Sequence, residues 1–147
     1  MEKKKILLVE DNSDDILLIQ RAFSKTKLAD KYELIVAKDG NQALDYLYDK
    51  KYFSVFQDGH APMMLLLDLN LPKINGFEVL QRVRCDEKTK LIPVVVFTSS
   101  KEDTDIKKSY ILGANSYVRK PIDSIQFTFT LQQIITYWGQ LNEIPIG

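Results

Sequence analysis

Residues 61–77 read APMMLLLDLNLPKINGF, an apolar run that ends in a carboxylate and then breaks at proline and glycine. Met63, Met64, Leu65, Leu66 and Leu67 are not interrupted by a polar residue, as expected of a strand covered on both faces. Asp68 closes the run. Burying a lone carboxylate costs several kcal/mol, comparable with the net stability of a whole domain. Asp68 must therefore emerge at the exposed end of the strand or be neutralised by a partner. Pro72 and Gly76 then turn the chain toward the next helix-period segment.

Working outward, short apolar runs alternate with helix-period segments along the chain. Strands are expected at residues 5–9, 33–37, 64–68, 93–98 and 116–118, and helices at 14–27, 40–51, 76–86, 104–112 and 123–138. Strict alternation implies right-handed crossovers and an α/β fold, a parallel sheet with helices on both faces. Residues 57–62, with Gly59 and Pro62, read as a surface loop before the third strand. There is no internal repeat or low-complexity tract. Residues 1–140 are expected to form one domain, and 141–147 a short tail carrying no output domain.

The 147 residues suit a single domain, and 45% apolar content is ordinary for a globular one. Twenty basic and twenty acidic side chains cancel, so no overall field favours nucleic acid or a membrane surface. The apolar stretch after Lys3, Lys4 and Lys5 ends at Glu10, too short for a signal peptide or a spanning helix. Cys85 and His60 are each alone of their kind, which excludes an intramolecular disulfide and leaves too few ligands for a zinc cage. A cytoplasmic protein is expected, with Cys85 an ordinary helix residue.

Sheets of this kind bind ligands at the carboxyl ends of their strands. The first strand ends in Glu10 and Asp11, the third in Asp68, the fourth in Thr98 and Ser99, and Lys120-Pro121 follows the fifth. Three neighbouring carboxylates repel unless a cation joins them. Hard oxygen donors without His or Cys point to Mg²⁺. Asp11 and Asp68 are expected to bind it directly, with the backbone carbonyl of Asn70 completing the set and Glu10 acting through water. Asn12 or Ser13 reads better as a helix cap, and capping is the competing reading of the whole Glu10-Asp11-Asn12 stretch. The acidic loop VEDNSDD would repel the phosphate that a dinucleotide site receives at a helix N-terminus. With a cation present, Asp68 can act as a nucleophile toward a phosphoryl group, Lys120 as its point-charge partner and Thr98 as a hydroxyl donor. Each also has a bland reading, a solvated lysine and a strand-end hydroxyl.

ILLVEDNSDD, LLLDLNLPKINGFEVL, IPVVVFTSS and ANSYVRKPID, in this order and over nearly the whole chain, resemble the receiver domain of two-component response regulators. The resemblance implies a flavodoxin-like, doubly wound five-stranded sheet of order 2-1-3-4-5. It also implies that Asp68 accepts a phosphoryl group from a sensor histidine kinase, with Thr98 and Lys120 as partners. Tyr117 would be the switch aromatic that swings inward when Thr98 moves; its plain alternative is a strand aromatic. Lys120-Pro121 becomes a candidate cis peptide. Such a protein is a phosphorelay component rather than an enzyme, promoting only its own phosphorylation and dephosphorylation.

DLNLPKINGFEVL, DIKKSYILGANSYVRKPID, the long 49–63 connection and a last helix ending in YW are similar to single-domain regulators paired with cyanobacterial phytochromes. This implies a red/far-red photoreceptor as kinase partner. The first helix, with Ile16, Leu17 and Ile19, would include part of the docking surface. Phe127, Leu131, Ile134 and Trp138 form a core stripe on the last helix, leaving Ile125, Phe129 and Tyr137 elsewhere. With Tyr110 these residues either form a homodimer contact or lie beneath a folded-back tail. Two other functions compete. Aspartyl-nucleophile phosphohydrolases also place Asp-x-Asp after an apolar strand, but the second position here is Asn70, which has no acid-base capacity. A phosphorylation-independent interaction module is the third reading.

Overall fold

The computed structural model describes residues 3–48 and 61–145. The end of the second expected helix, most of the 57–62 loop, His60 and most of the 49–63 connection lie outside them. Five strands, β1 (Lys4–Val9), β2 (Tyr32–Ala37), β3 (Met64–Leu67), β4 (Val94–Thr98) and β5 (Ser116–Arg119), form one parallel sheet of order β2-β1-β3-β4-β5. The helices are α1 (Ser13–Ser24), α2 (Gly40–Tyr48), α3 (Gly76–Cys85), α4 (Asp103–Ile111) and α5 (Ser124–Thr136).

The run that opened the sequence is buried on both faces. Met64 and Leu66 join one core with Ile6, Leu8, Val95 and Phe97, packed under α1 and α5. Leu65 and Leu67 join the other with Leu7, Val9, Val94 and Val96, packed under α2 and α3. Successive side chains point to opposite faces, so an all-apolar strand requires two cores. Phe97 meets Phe127 of α5 edge to face at 5.2 Å between ring centres.

Side-chain caps start four of the helices, and at α2 Asp39 accepts from the Gln42 amide at 2.7 Å. Asn12 accepts from the Asp15 amide, Asn75 from that of Glu78, and Asp123 from that of Gln126, each satisfying a donor that the helix leaves free. The capping reading of Asn12 is correct. The expected 14–27 helix is divided, because α1 stops at Ser24 and Lys27–Asp30 forms a separate 3₁₀ turn. The last helix ends at Thr136 and continues as a π-helical turn, Tyr137–Leu141.

Two expectations are corrected here. No cis peptide occurs among the described residues, so Lys120-Pro121 is trans. Trans is the lower-energy isomer of an X-Pro bond by about 0.5–1 kcal/mol, and the Lys120 ammonium reaches its partners from it. Among the described residues, the tail does not cover the outer face of α5. Gly139 accepts from the Tyr32 hydroxyl, and Trp138 and Ile144 pack against the α1/α5 core, while Ile125, Phe129, Tyr137 and Leu141 stay exposed.

Candidate functional site: an acidic rim with a buried lysine

Asp68 lies just past β3, and its amide donates to the Val9 carbonyl at 3.0 Å, which sets it beside the end of β1. The chain then makes a tight turn through Leu69–Asn75. Gly76 closes it. A Cβ there would lie 2.3 Å from the Asp68 carbonyl oxygen and 2.7 Å from the Leu69 Cα, so only glycine lets α3 start against the strand end. The Asn70 amide points back to Asp68 Oδ1 at 3.4 Å.

Glu10, Asp11 and Asp68 converge, each with a carboxylate oxygen within 4.8 Å of the others. Glu10 is the buried anchor. Its Oε2 accepts from the amides of Asp11 and Asn12, and its Oε1 from the Lys120 ammonium. Asp11 is exposed, as a group at the mouth of a cation site would be.

Lys120 enters from the segment after β5, where its amide donates to the Thr98 carbonyl at 2.7 Å and fixes it beside β4. Its ammonium contacts Glu10, Asp15 Oδ2 at 2.8 Å and Asp68 Oδ2 at 3.1 Å. Burial by itself would pull the lysine down, but Asp15, Glu10 and Asp68 outweigh it and hold the ammonium above its usual range. Glu10 behaves oppositely. Burial, reinforced by the Asp68 charge, pushes it up to about 7 despite the bond from Lys120. One ammonium therefore does not neutralise the rim. That residual charge, and a donor set made only of oxygens, fit a hard divalent cation held by Glu10, Asp11 and Asp68.

Thr98 ends β4 fully buried, and its hydroxyl has no hydrogen-bond partner among the described residues. Buried hydroxyls are nearly always bonded, so this donor is available for an acceptor entering the rim. Tyr117 is half-buried at the margin of the second core, and its hydroxyl donates to the Ser100 carbonyl at 2.8 Å. The Ser100 hydroxyl donates in turn to Asp105 Oδ2 at 2.6 Å, linking the loop after Thr98 to β5 and to the first turn of α4.

Two partnerships escaped sequence reasoning. Asp15 was not singled out in the sequence, because its reach to Lys120 depends on the packing of α1 against the rim. The Ser100 latch joins Tyr117, which the resemblance singled out, to Ser100 and Asp105, whose own types carry no signal. The expected outer-face residues Tyr110, Ile125, Phe129 and Tyr137 are all exposed, and Phe127, Leu131 and Ile134 are buried as the stripe requires. Cys85 is exposed at the end of α3.

The profile of the response regulator receiver domain matches residues 6–132. The chain belongs to this family. It is 39% identical over 142 residues to the probable methanogenesis regulatory protein FilR2 of Methanothrix harundinacea, covering 95% of this chain and 86% of that protein. It is 37% identical to the response regulator Rcp1 of Synechocystis, covering 97% and 93%. Rcp1 has a crystal structure in its Mn²⁺-bound form, which superposes with a TM-score of 0.85 over 97% of this chain and 99% of that one. The phosphorylated cyanobacterial phytochrome response regulator RcpA superposes with a TM-score of 0.87 at 37% identity, over 98% and 99% of the two chains. The fold is that of these receivers, and the chain is a phosphorylatable response regulator similar to phytochrome-associated ones.

Proposed function

We propose that Asp68 is the residue that accepts the phosphoryl group, from a phosphohistidine of a sensor kinase. A carboxylate oxygen of Asp68 attacks phosphorus, the bond from phosphorus to the histidine nitrogen breaks, and an acyl phosphate remains on the end of β3. The observation that carries this reading is the contact between the buried Lys120 ammonium and Asp68 Oδ2 at the mouth of the sheet. Lys120 offsets charge on the incoming group, and the unpartnered Thr98 hydroxyl can donate to a phosphoryl oxygen. Mg²⁺, held by Glu10, Asp11, Asp68 and the Asn70 carbonyl, would supply charge neutralisation as in other phosphoryl-transfer sites. Movement of Thr98 would alter the Ser100 carbonyl that Tyr117 holds, biasing an equilibrium between two surface states.

Incubation with acetyl phosphate and Mg²⁺ followed by intact-mass measurement is expected to add one phosphoryl group to the wild type and none to Asp68→Asn. Equal labelling of the variant would sink the assignment.

The kinase is proposed to be a phytochrome of the cyanobacterial type, on the strength of the likeness to RcpA and Rcp1. FilR2 is as similar and is described by a different process, so direct phosphotransfer decides. A phytochrome kinase should label Asp68 faster than unrelated histidine kinases do, and equal rates would remove the assignment. A cytoplasmic location accords with this partner, and no helix among the described residues is long and apolar enough to cross a membrane. The exposed Tyr110, Ile125, Phe129 and Tyr137 support a homodimer through the last two helices. Sedimentation equilibrium that finds only monomer at micromolar concentration, with and without phosphorylation, would exclude it.

A further inference from the structure

The turn that follows Asp68 is confined at two points. Gly76 presses on its base, and its outer bend meets the start of α2, where a Cβ on Gly40 would lie 2.3 Å from the Ile74 carbonyl oxygen and 2.8 Å from the Ile74 Cβ. Both separations are well inside van der Waals contact, so only a residue without a side chain lets α2 begin there. Glycine is a poor helix former and Asp39 already caps this helix, so the local needs of α2 do not explain Gly40. The two sides of the contact differ in rigidity. The start of α2 is held by Asp39 Oδ1 on the Gln42 amide at 2.7 Å and by Gln42 Oε1 on the Lys38 amide at 2.8 Å, and Ala43 and Leu44 are buried behind it. The turn holds Lys73 at φ 65°, a left-handed conformation that costs any residue with a side chain. A Cβ at position 40 is therefore met by movement of the turn.

We propose that Gly40 is a positioning residue for the cation site, setting through Ile74 where the 69–75 turn brings the Asn70 carbonyl relative to the carboxylates of the rim. The proposal rests on the reading of Asn70 as a ligand beside Glu10, Asp11 and Asp68. The turn is closed at its base, because the Leu69 carbonyl accepts from the Leu71 amide at 3.1 Å and from the Gly76 amide at 3.0 Å. With its ends tied, a displacement at Ile74 cannot be absorbed by lengthening and passes round to Asn70. The other side of the contact is registered to the rim. At the end of β2 the Ala37 carbonyl accepts from the Glu10 amide at 3.0 Å, so the corner leading into Gly40 is fixed to the strand end that carries Glu10 and Asp11. The close approach at Gly40 thus links the two halves of the donor set through backbone alone.

The test titrates the full chain with Mn²⁺ and follows the free ion by electron paramagnetic resonance. Gly40→Ala should weaken Mn²⁺ binding about tenfold, the low end of the range for groups that orient a metal ligand without touching the metal. Leu131→Ala is the control for general loosening, since it opens a cavity in the opposite core, under α1 and α5. It should lower the urea midpoint yet change Mn²⁺ affinity less than about twofold, as expected of a distant, independent site. Hydrogen exchange on the wild type gives a second readout that needs no variant. Coupling between two places is reciprocal, so saturating Mg²⁺ should slow exchange at the Leu71 and Gly76 amides of the turn and also at the Gln42 and Ala43 amides that begin α2. Equal losses of affinity in Gly40→Ala and Leu131→Ala, or Mg²⁺ that protects the turn and leaves the start of α2 unchanged, would overturn the role of Gly40. Mn²⁺ binding as tight in Asp11→Asn and Asp68→Asn as in the wild type would instead overturn the cation site beneath it.

Discussion

Replacing Lys120 by methionine keeps an apolar stem of similar length and deletes the ammonium. In metal-free buffer the consequence for stability depends on pH in a way the rim geometry dictates. Glu10 sits at about 7 in the folded protein against an ordinary 4.5, so the folded state keeps its proton over a range where the unfolded chain has lost it. A raised group of this kind is fully stabilising below its unfolded value, and that contribution is lost as pH rises through the folded value. At pH 6 Glu10 is mostly protonated in the folded wild type, and in the variant too, since removal of Lys120 can only raise it further. The loss there is that of the bonds to Asp68 and Glu10, with little added by the more exposed Asp15, about 2 kcal/mol. Above pH 7 the wild type ionises Glu10 against Lys120, whereas the variant must retain the proton. Each further pH unit costs the variant about 1.4 kcal/mol, so the loss at pH 8 reaches about 3–4 kcal/mol, within the range for breaking a buried ion pair. Urea denaturation followed by circular dichroism measures it. With a slope of about 2 kcal/mol per molar urea, the midpoint should fall by about 1 M at pH 6 and by nearly 2 M at pH 8. A loss that is equal at both values, or larger at pH 6, would refute the view that Lys120 neutralises a buried Glu10.

Gly76→Ala should lower stability although alanine is the better helix former. The new Cβ meets the Asp68 carbonyl at 2.3 Å and the Leu69 Cα at 2.7 Å, both backbone. An overpacking cost of about 1–3 kcal/mol, less up to about 1 kcal/mol of propensity gain, leaves a net loss of up to about 3 kcal/mol and a melting temperature lower by up to about 10 °C, together with slower labelling of Asp68 by acetyl phosphate. A melting temperature that rises would show that α3 shifts without cost. Thr98→Val removes a buried hydroxyl that has no partner. The unphosphorylated protein should keep its stability or gain up to about 1 kcal/mol, while phosphorylation slows. A loss of more than 1 kcal/mol in urea denaturation would reveal a bond that the resting structure does not contain.

The legible parts of this chain share a physical origin. A strand between two helical layers must be apolar at every position, which is why Met64 to Leu67 stood out and why Asp68 could be placed at its end. Caps were legible where a side chain serves its own helix, as Asn12 does. The trans Lys120-Pro121 bond was not legible, because the isomers differ by so little that local sequence leaves either open. Nor was the end of the last helix, where the pattern ran on to Trp138 while the backbone passes into a π turn after Thr136. Its C-terminal segment is set by contacts with distant groups, such as the Tyr32 hydroxyl on Gly139.

Taken alone, the amino-acid sequence determined the alternation of elements, the two-sided sheet and the residue types available at its strand ends, because these follow from side-chain periodicity and the cost of burying charge. Only the tertiary structure decided how the charges share one another. Asp15 and Glu10 are five residues apart, and Lys120 lies more than a hundred residues from both, yet one ammonium joins them to Asp68. Electrostatic balance depends on distance and burial in three dimensions, and neither is written in the spacing of residues along a chain.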